Sequence, residues 1–160
     1  SNIKKEHKDA KLVIVGNDGG FLSTIKILIK KYNLTNDVIL TGFVSKNNLP
    51  PYYSMADLVI YPSRQEIFGL VLCEAMACQK PVIGSNILGP SEIIVNGETG
   101  FTSDFKSIPE LSNLINILLD DKKRLKKLGE KGYQRVKKYY TWKKCAISHY
   151  NLYKMVQYSL

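Results

Sequence analysis

Residues 57–79, DLVIYPSRQEIFGLVLCEAMACQ, constrain the fold more tightly than any other stretch of this chain. Residues 57–61 are a short apolar run with β-branched content, stopped by Pro62, the pattern of a strand buried on both faces. Residues 63–66 form a polar loop, and Phe68-Gly69 then opens a run of good helix formers that reaches about Cys78. Strand, loop and helix in that order put a helix N-terminus at the carboxyl end of a strand, where open α/β sheets bind ligands. Free N–H groups and the helix dipole make such a start a seat for phosphate. Two carboxylates flank it: Glu66 in the loop and Glu74 in the second helical turn.

The rest of the chain repeats the alternation. Residues 11–15 (KLVIV) predict a strand ending in Gly16-Asn17-Asp18-Gly19-Gly20, followed by a helix over 21–31 with apolar residues at 21, 22, 25, 28 and 29. Residues 3–10 read as the tail of a helix. A strand is predicted over 37–40, then a short helix within 45–55, with Ser45 as its N-cap and Pro50-Pro51 disturbing it. Further strands are expected at 81–83 and 100–102, with a brief helical turn containing Glu92 between them. Helices are predicted over 108–119 and 122–140, and a last one after Thr141 as N-cap. Strands alternating with helices imply a doubly wound α/β domain, a parallel sheet covered on both faces.

At 160 residues the chain is one domain's worth, long enough to bury a core. No apolar run approaches the length that spans a bilayer, and none reads as a signal peptide. The cysteines, Cys73, Cys78 and Cys145, are odd in number and lack metal-ligand spacing, so the expectation is a cytoplasmic protein with small buried thiols. The net charge of +9 concentrates between Lys122 and Lys138, Arg135 included. Three readings stay open for it: a solvated helix face, attraction to an anionic membrane at its inner face, or nucleic acid, the last without any supporting motif.

The pair Glu66 and Glu74, spaced E-x7-E around the helix start, is the strongest chemical candidate. A carboxylate beside a phosphate seat repels the phosphate, so these groups suit neutral hydroxyls, from which an ionised carboxylate accepts strong hydrogen bonds. Against this, Glu66 also reads as an exposed loop residue and Glu74 as a solvated helix residue. The surroundings of Glu74, Leu-Cys before and Ala-Met-Ala-Cys after, are apolar, and a lone carboxylate there needs a partner. The loop at residues 16–20 lacks both G-x-G-x-x-G and Gly-Lys-Ser/Thr and reads first as a tight turn. His7 and His149 lie at opposite ends, which disfavours a nucleophile–histidine triad, and no Asp-x-Asp or histidine cluster suggests a metal.

From the E-x7-E segment outward the chain resembles the C-terminal domain of a retaining glycosyltransferase of family 4, the group 1 family with the two-domain GT-B fold. The matching pieces are KLVIVGNDGG, VILTGFVSKNNLPPYYSMADLVIYPS, EIFGLVLCEAMACQKPVIGSN, GPSEIIVNGETGF and the closing helix from Thr141-Trp142. The resemblance implies a Rossmann-like fold and a site for a nucleotide-diphosphate sugar. It implies that Glu74 holds the ribose hydroxyls and that Glu66, the candidate catalytic residue, faces the transferred sugar. Phe68, Gly69, Leu70 and Val71 would meet the sugar hydroxyls and the diphosphate, and the loop Gly42-Phe43-Val44 would lie near the base. No cofactor and no metal are implied, and transfer would retain anomeric configuration.

The chain also departs from the pattern. Gln79 stands where the family has glycine after the helix, so the C-cap is either strained or made otherwise, and Leu88 replaces a glycine before Pro90. The family's domain opens with a strand ending in Gly-Arg and, shortly after, Lys-Gly, which grip the diphosphate. Neither is present, nor is an N-terminal acceptor domain. The expectation is therefore a fragment, inactive alone. Its five strands either close into one sheet or leave a gap between the strand at 11–15 and the strand at 57–61, to be filled by another chain. The alternative functions are a non-catalytic nucleotide-sugar-binding subunit and a membrane-docking module, each complemented by a separate acceptor domain.

Overall fold

In the computed structural model, which describes residues 2–157, strand β4 (Val82–Ser85) is buried at all four positions. It lies between β3 (Val59–Tyr61) and β5 (Phe101–Ser103) and runs parallel to both. Period-two alternation sorts the side chains of these strands onto two faces. Val82, with Val59 and Tyr61, packs into a cluster that includes Leu72, Ala75, Met76, Ile93 and Val136. Ile83, with Leu58, Ile60 and Phe101, packs into one built on Ile115, Leu118, Leu125 and Leu128. Helices α4 (Leu70–Ala77) and α5 (Leu88–Ile93) supply the first cluster, α6 (Ile108–Asp120) the second, and α7 (Lys122–Tyr139) contributes to both. This three-stranded sheet is covered on both faces, as its apolar strands require.

The first half of the chain is different. Strand β1 (Leu12–Val15), helix α2 (Leu22–Lys31) and strand β2 (Val38–Gly42) form a parallel β–α–β unit whose strands pair only with each other. The five strands do not close up, and the sheet stays interrupted between this pair and β3. No residue from 2 to 68 is buried. Leu12 and Ile39 are about half exposed, although their strands have the composition of a fully covered sheet. Side contacts hold the unit in place. Helix α1 (Asn2–Glu6) sends Ile3 to the second cluster, and α3 (Leu49–Met55) sends Tyr53 to the first. Lys11 first and Lys4 second pair with Asp37, at 2.8 and 2.9 Å, and hold its carboxyl below the usual range.

Local expectations fare unevenly. The prolines do not disturb α3 but sit in its first turn, where a missing N–H costs nothing. Ser45 precedes a single 3-10 turn, Lys46–Asn48, without a side-chain capping bond. Of the three thiols Cys73 alone is buried, while Cys78 is half-buried and Cys145 exposed. Gln79 has φ of +57° and completes the C-terminal turn of α4, with Gln79 N–H on the Met76 carbonyl and Lys80 N–H on the Ala75 carbonyl. That is the left-handed helix stop normally given to glycine. Helix α8 (Trp142–Gln157) follows Thr141, whose hydroxyl accepts the Lys144 N–H at 3.3 Å, and buries none of its residues.

Candidate functional site

The start of α4 opens at the carboxyl ends of β3 and β4. Gly69 precedes it with φ of +102°, and no side chain caps the helix. The N–H groups of Leu70 and Val71 therefore lie in the first, unpaired turn, where a ligand's oxygens can meet them. Leu70 is exposed, and Phe68 and Val71 are half-buried. The start of α5 presses against the same loop. A Cβ on Gly89 would stand 2.7 Å from the Ile67 carbonyl carbon and 2.8 Å from the Phe68 nitrogen. Glycine is needed there because no side chain fits between the two segments.

Each candidate carboxylate is held by a tyrosine that the sequence reading passed over. Glu66 Oε2 accepts a hydrogen bond from the Tyr61 hydroxyl, and its Oε1 accepts the Phe68 N–H at 3.2 Å. The Tyr61 hydroxyl and then that N–H hold the Glu66 carboxyl below its ordinary range, against a smaller opposing effect of burial. The Tyr61 phenol is raised, first by burial and then by the carboxylate. Glu74 Oε2 accepts from the Tyr53 hydroxyl at 2.8 Å, across from α3 to α4. Burial first, and Glu74 second, drive the Tyr53 phenol well above the usual tyrosine range. The lone carboxylate on an apolar helix has its partner, and Glu66 is half-buried rather than free in its loop.

The other candidates separate. Val44 is half-buried and Phe43 exposed, beyond the end of β2. Among the described residues no hydrogen bond joins residues 42–44 to Glu66 or Glu74. The loop after β1 closes on itself: Asp18 accepts from the N–H groups of Gly20 (2.7 Å) and Leu22 (3.1 Å) and so starts α2. These bonds make residues 16–20 the tight turn that starts α2. Among the described residues no group of three or more His, Cys, Asp or Glu side chains could hold a metal, and no helix is long and apolar enough to cross a membrane.

Behind the two helix starts lies a second set of residues that sequence reading missed. Arg135, counted above with the basic stretch, is not a solvated charge. Its Nε donates to the Ile93 carbonyl at 2.6 Å and its Nη2 to the Glu92 carbonyl at 2.8 Å, closing the C-terminal end of α5. The Tyr140 hydroxyl donates to the Glu92 carbonyl at 2.9 Å, and the Tyr140 ring meets the Phe68 ring edge-on, 5.7 Å between centroids. Only the aromatic residue two places before Trp142 hinted at this, and nothing in its spacing says what it touches.

Known proteins resemble this chain in sequence and in fold. The family model described as glycosyl transferases group 1 matches residues 1–135. N-acetyl-alpha-D-glucosaminyl L-malate synthase of Bacillus anthracis is 32% identical over 145 residues, which cover 91% of this chain and 37% of that protein. The structure of sucrose-phosphate synthase from Thermosynechococcus elongatus superposes with a TM-score of 0.85 at 32% identity, over 94% of this chain and 39% of that one. Anabaena HepE, solved with UDP, gives a TM-score of 0.79 at 26% identity over 94% of this chain and 41% of its own. A further structure of HepE contains UDP-glucose. The chain thus spans less than half the length of the curated relatives it matches.

Proposed function

This chain belongs to the group 1 glycosyl transferases, and from that premise we propose that it is the donor-binding half of a GT-B enzyme. The enzyme moves a sugar from a nucleotide diphosphate to a hydroxyl acceptor carried by a further domain. One observation carries the reading. Glu66 and Glu74, each oriented by a tyrosine, stand on either side of an uncapped helix start at the carboxyl end of a parallel sheet. The first-turn N–H groups of Leu70 and Val71 suit the diphosphate. Glu74 suits the ribose hydroxyls and Glu66 those of the transferred sugar, with Phe68 and Gly69 shaping the turn between them and Val44 toward the base. HepE, solved with UDP and with UDP-glucose, supports a nucleotide sugar as the ligand class.

In this reading the chemistry needs neither metal nor cofactor from the chain. The helix start, with basic side chains contributed from outside these residues, offsets the charge of the departing diphosphate. The acceptor attacks on the face that the diphosphate leaves, and configuration is retained. The interrupted sheet fits a chain that functions with additional sequence, one strand of which occupies the opening between β1 and β3.

The test is a thermal-shift panel of nucleotide sugars on the full-length protein. One member should raise the melting temperature in a concentration-dependent way. Glu74→Ala should weaken its binding by about one to two orders of magnitude, the loss of charge-assisted hydrogen bonds. Unchanged affinity in that variant removes the role given to Glu74, and a panel without a single hit removes the function.

A further inference from the structure

Resting on the donor-site reading above, we propose that Tyr61 is a positioning residue for the donor sugar, fixing Glu66 in one rotamer as an acceptor for the sugar's hydroxyls. A glutamate in a surface loop has three rotatable bonds and loses much of that freedom when it engages a ligand. Here the freedom is removed beforehand. The Tyr61 hydroxyl holds Oε2 and the Phe68 N–H holds Oε1. Each carboxylate oxygen has two acceptor sites, so one remains on each for a sugar hydroxyl. The carboxylate is thus seated on two donors and presents its remaining edge.

The seat is rigid because Tyr61 is anchored in turn. Its ring packs against the cluster of Leu72, Met76 and Ile93, and its carbonyl accepts the Ser85 hydroxyl at 3.4 Å from β4. The groups that face Glu66 are the Tyr61 hydroxyl and the N–H groups of Ile67, Phe68 and Gly69. The Ser63 hydroxyl faces Tyr61 from the same loop. No ion pair among the described residues involves Glu66, so the phenol is its strongest neighbour. Removing the hydroxyl frees the carboxylate without altering the helix start that seats the diphosphate. The sugar, and not the nucleotide, should feel the change.

The experiment measures the two consequences separately in the full-length protein. Glutamates carrying 13C at the side-chain carboxyl are titrated by NMR, with Glu66→Gln assigning the resonance. Affinities are measured for the nucleotide sugar found in the panel and for its bare nucleoside diphosphate. Tyr61→Phe, which keeps the ring, should raise the Glu66 titration, because the largest influence holding it down is gone. It should weaken the nucleotide sugar about three- to tenfold and leave the diphosphate within about twofold. Tyr61→Leu, which also loses the ring, should shift Glu66 by the same amount if the hydroxyl is responsible. An unmoved Glu66 titration in Tyr61→Phe, or equal losses for sugar nucleotide and bare diphosphate, overturns the assignment. A wild-type protein that binds no nucleotide sugar overturns the donor-site reading instead.

Discussion

The Tyr53 hydroxyl donates to Glu74 Oε2 over 2.8 Å, and this single bond joins α3, in the loosely packed first half of the chain, to α4 in the packed core. Its loss should be felt on both sides. Tyr53→Phe leaves a half-buried carboxylate without its donor and should cost about 1 kcal/mol of stability. If Glu74 holds the ribose, as proposed, the same variant should weaken nucleotide sugar and bare diphosphate alike, about three- to tenfold. Calorimetry with both ligands checks this, and the equal losses contrast with the sugar-selective effect expected at Tyr61.

The left-handed stop at Gln79 makes a stability prediction with opposite signs at two neighbouring positions. Gln79→Gly relieves a conformation that glycine adopts freely and should stabilise the fold by about 0.5–1 kcal/mol. Gly129→Ala should destabilise it by about 3 kcal/mol, since its Cβ would lie 2.1 Å from the Gln79 carbonyl oxygen and drive α7 off the turn. Urea midpoints moving up in one variant and down in the other, at constant slope, would show both.

The opening between β1 and β3 predicts protection that depends on chain length. In any longer protein that supplies a strand to this opening, amide hydrogen exchange in Leu12–Val15 and Val59–Tyr61 should slow relative to residues 2–157 alone. The amides of β4, already paired on both sides, should change least. Equal rates for β1 and β3 in both proteins would mean that no strand enters the opening.

Thiol chemistry should rank the three cysteines by environment. Burial, and to a lesser degree Glu74, push the Cys73 thiol up to about 11, so it stays protonated and unreactive at neutral pH. The exposed Cys145 should react first with a disulfide reagent, Cys78 next, and Cys73 at the rate of unfolding. The linkage has a definite sign. The folded state resists ionising Cys73, so its contribution is complete below the unfolded thiol value of about 8.5 and is lost as pH rises toward about 11. Mass spectrometry of timed labelling gives the order.

Most of the element order was readable because it rests on local periodicity. The apolar runs read at 11–15, 57–61 and 81–83 and the helical spacing after residue 108 each declare themselves within one window. Gln79 was legible as a conflict, since a glycine position filled by glutamine must either bend the helix stop or accept strain, and it accepts strain. The partners of the two glutamates were not legible. Tyr53 meets Glu74 through tertiary approach across 21 residues, Tyr61 meets Glu66 where the loop after β3 folds back, and no repeat or motif encodes either meeting. Arg135 was misread for a related reason. In a stretch crowded with lysine it differs only in the planar fork that lets it bind two carbonyls at once. Whether the strands close into one sheet was equally beyond the sequence, because it depends on what covers β1.

Tyr140 and Arg135 reach the Glu92 carbonyl together while the Tyr140 ring lies against Phe68, so the far end of α7 carries the tail of one ligand-facing helix and the entry loop of the other. The two starts therefore share a hinge pin at their back. A shift of α7 would move both together, and by linkage anything that seats against the two starts bears on α7 by the same free energy. In the proposed donor site, substitutions at the junction of α7 and α8 would reach both helix starts without replacing a residue assigned to the ligand.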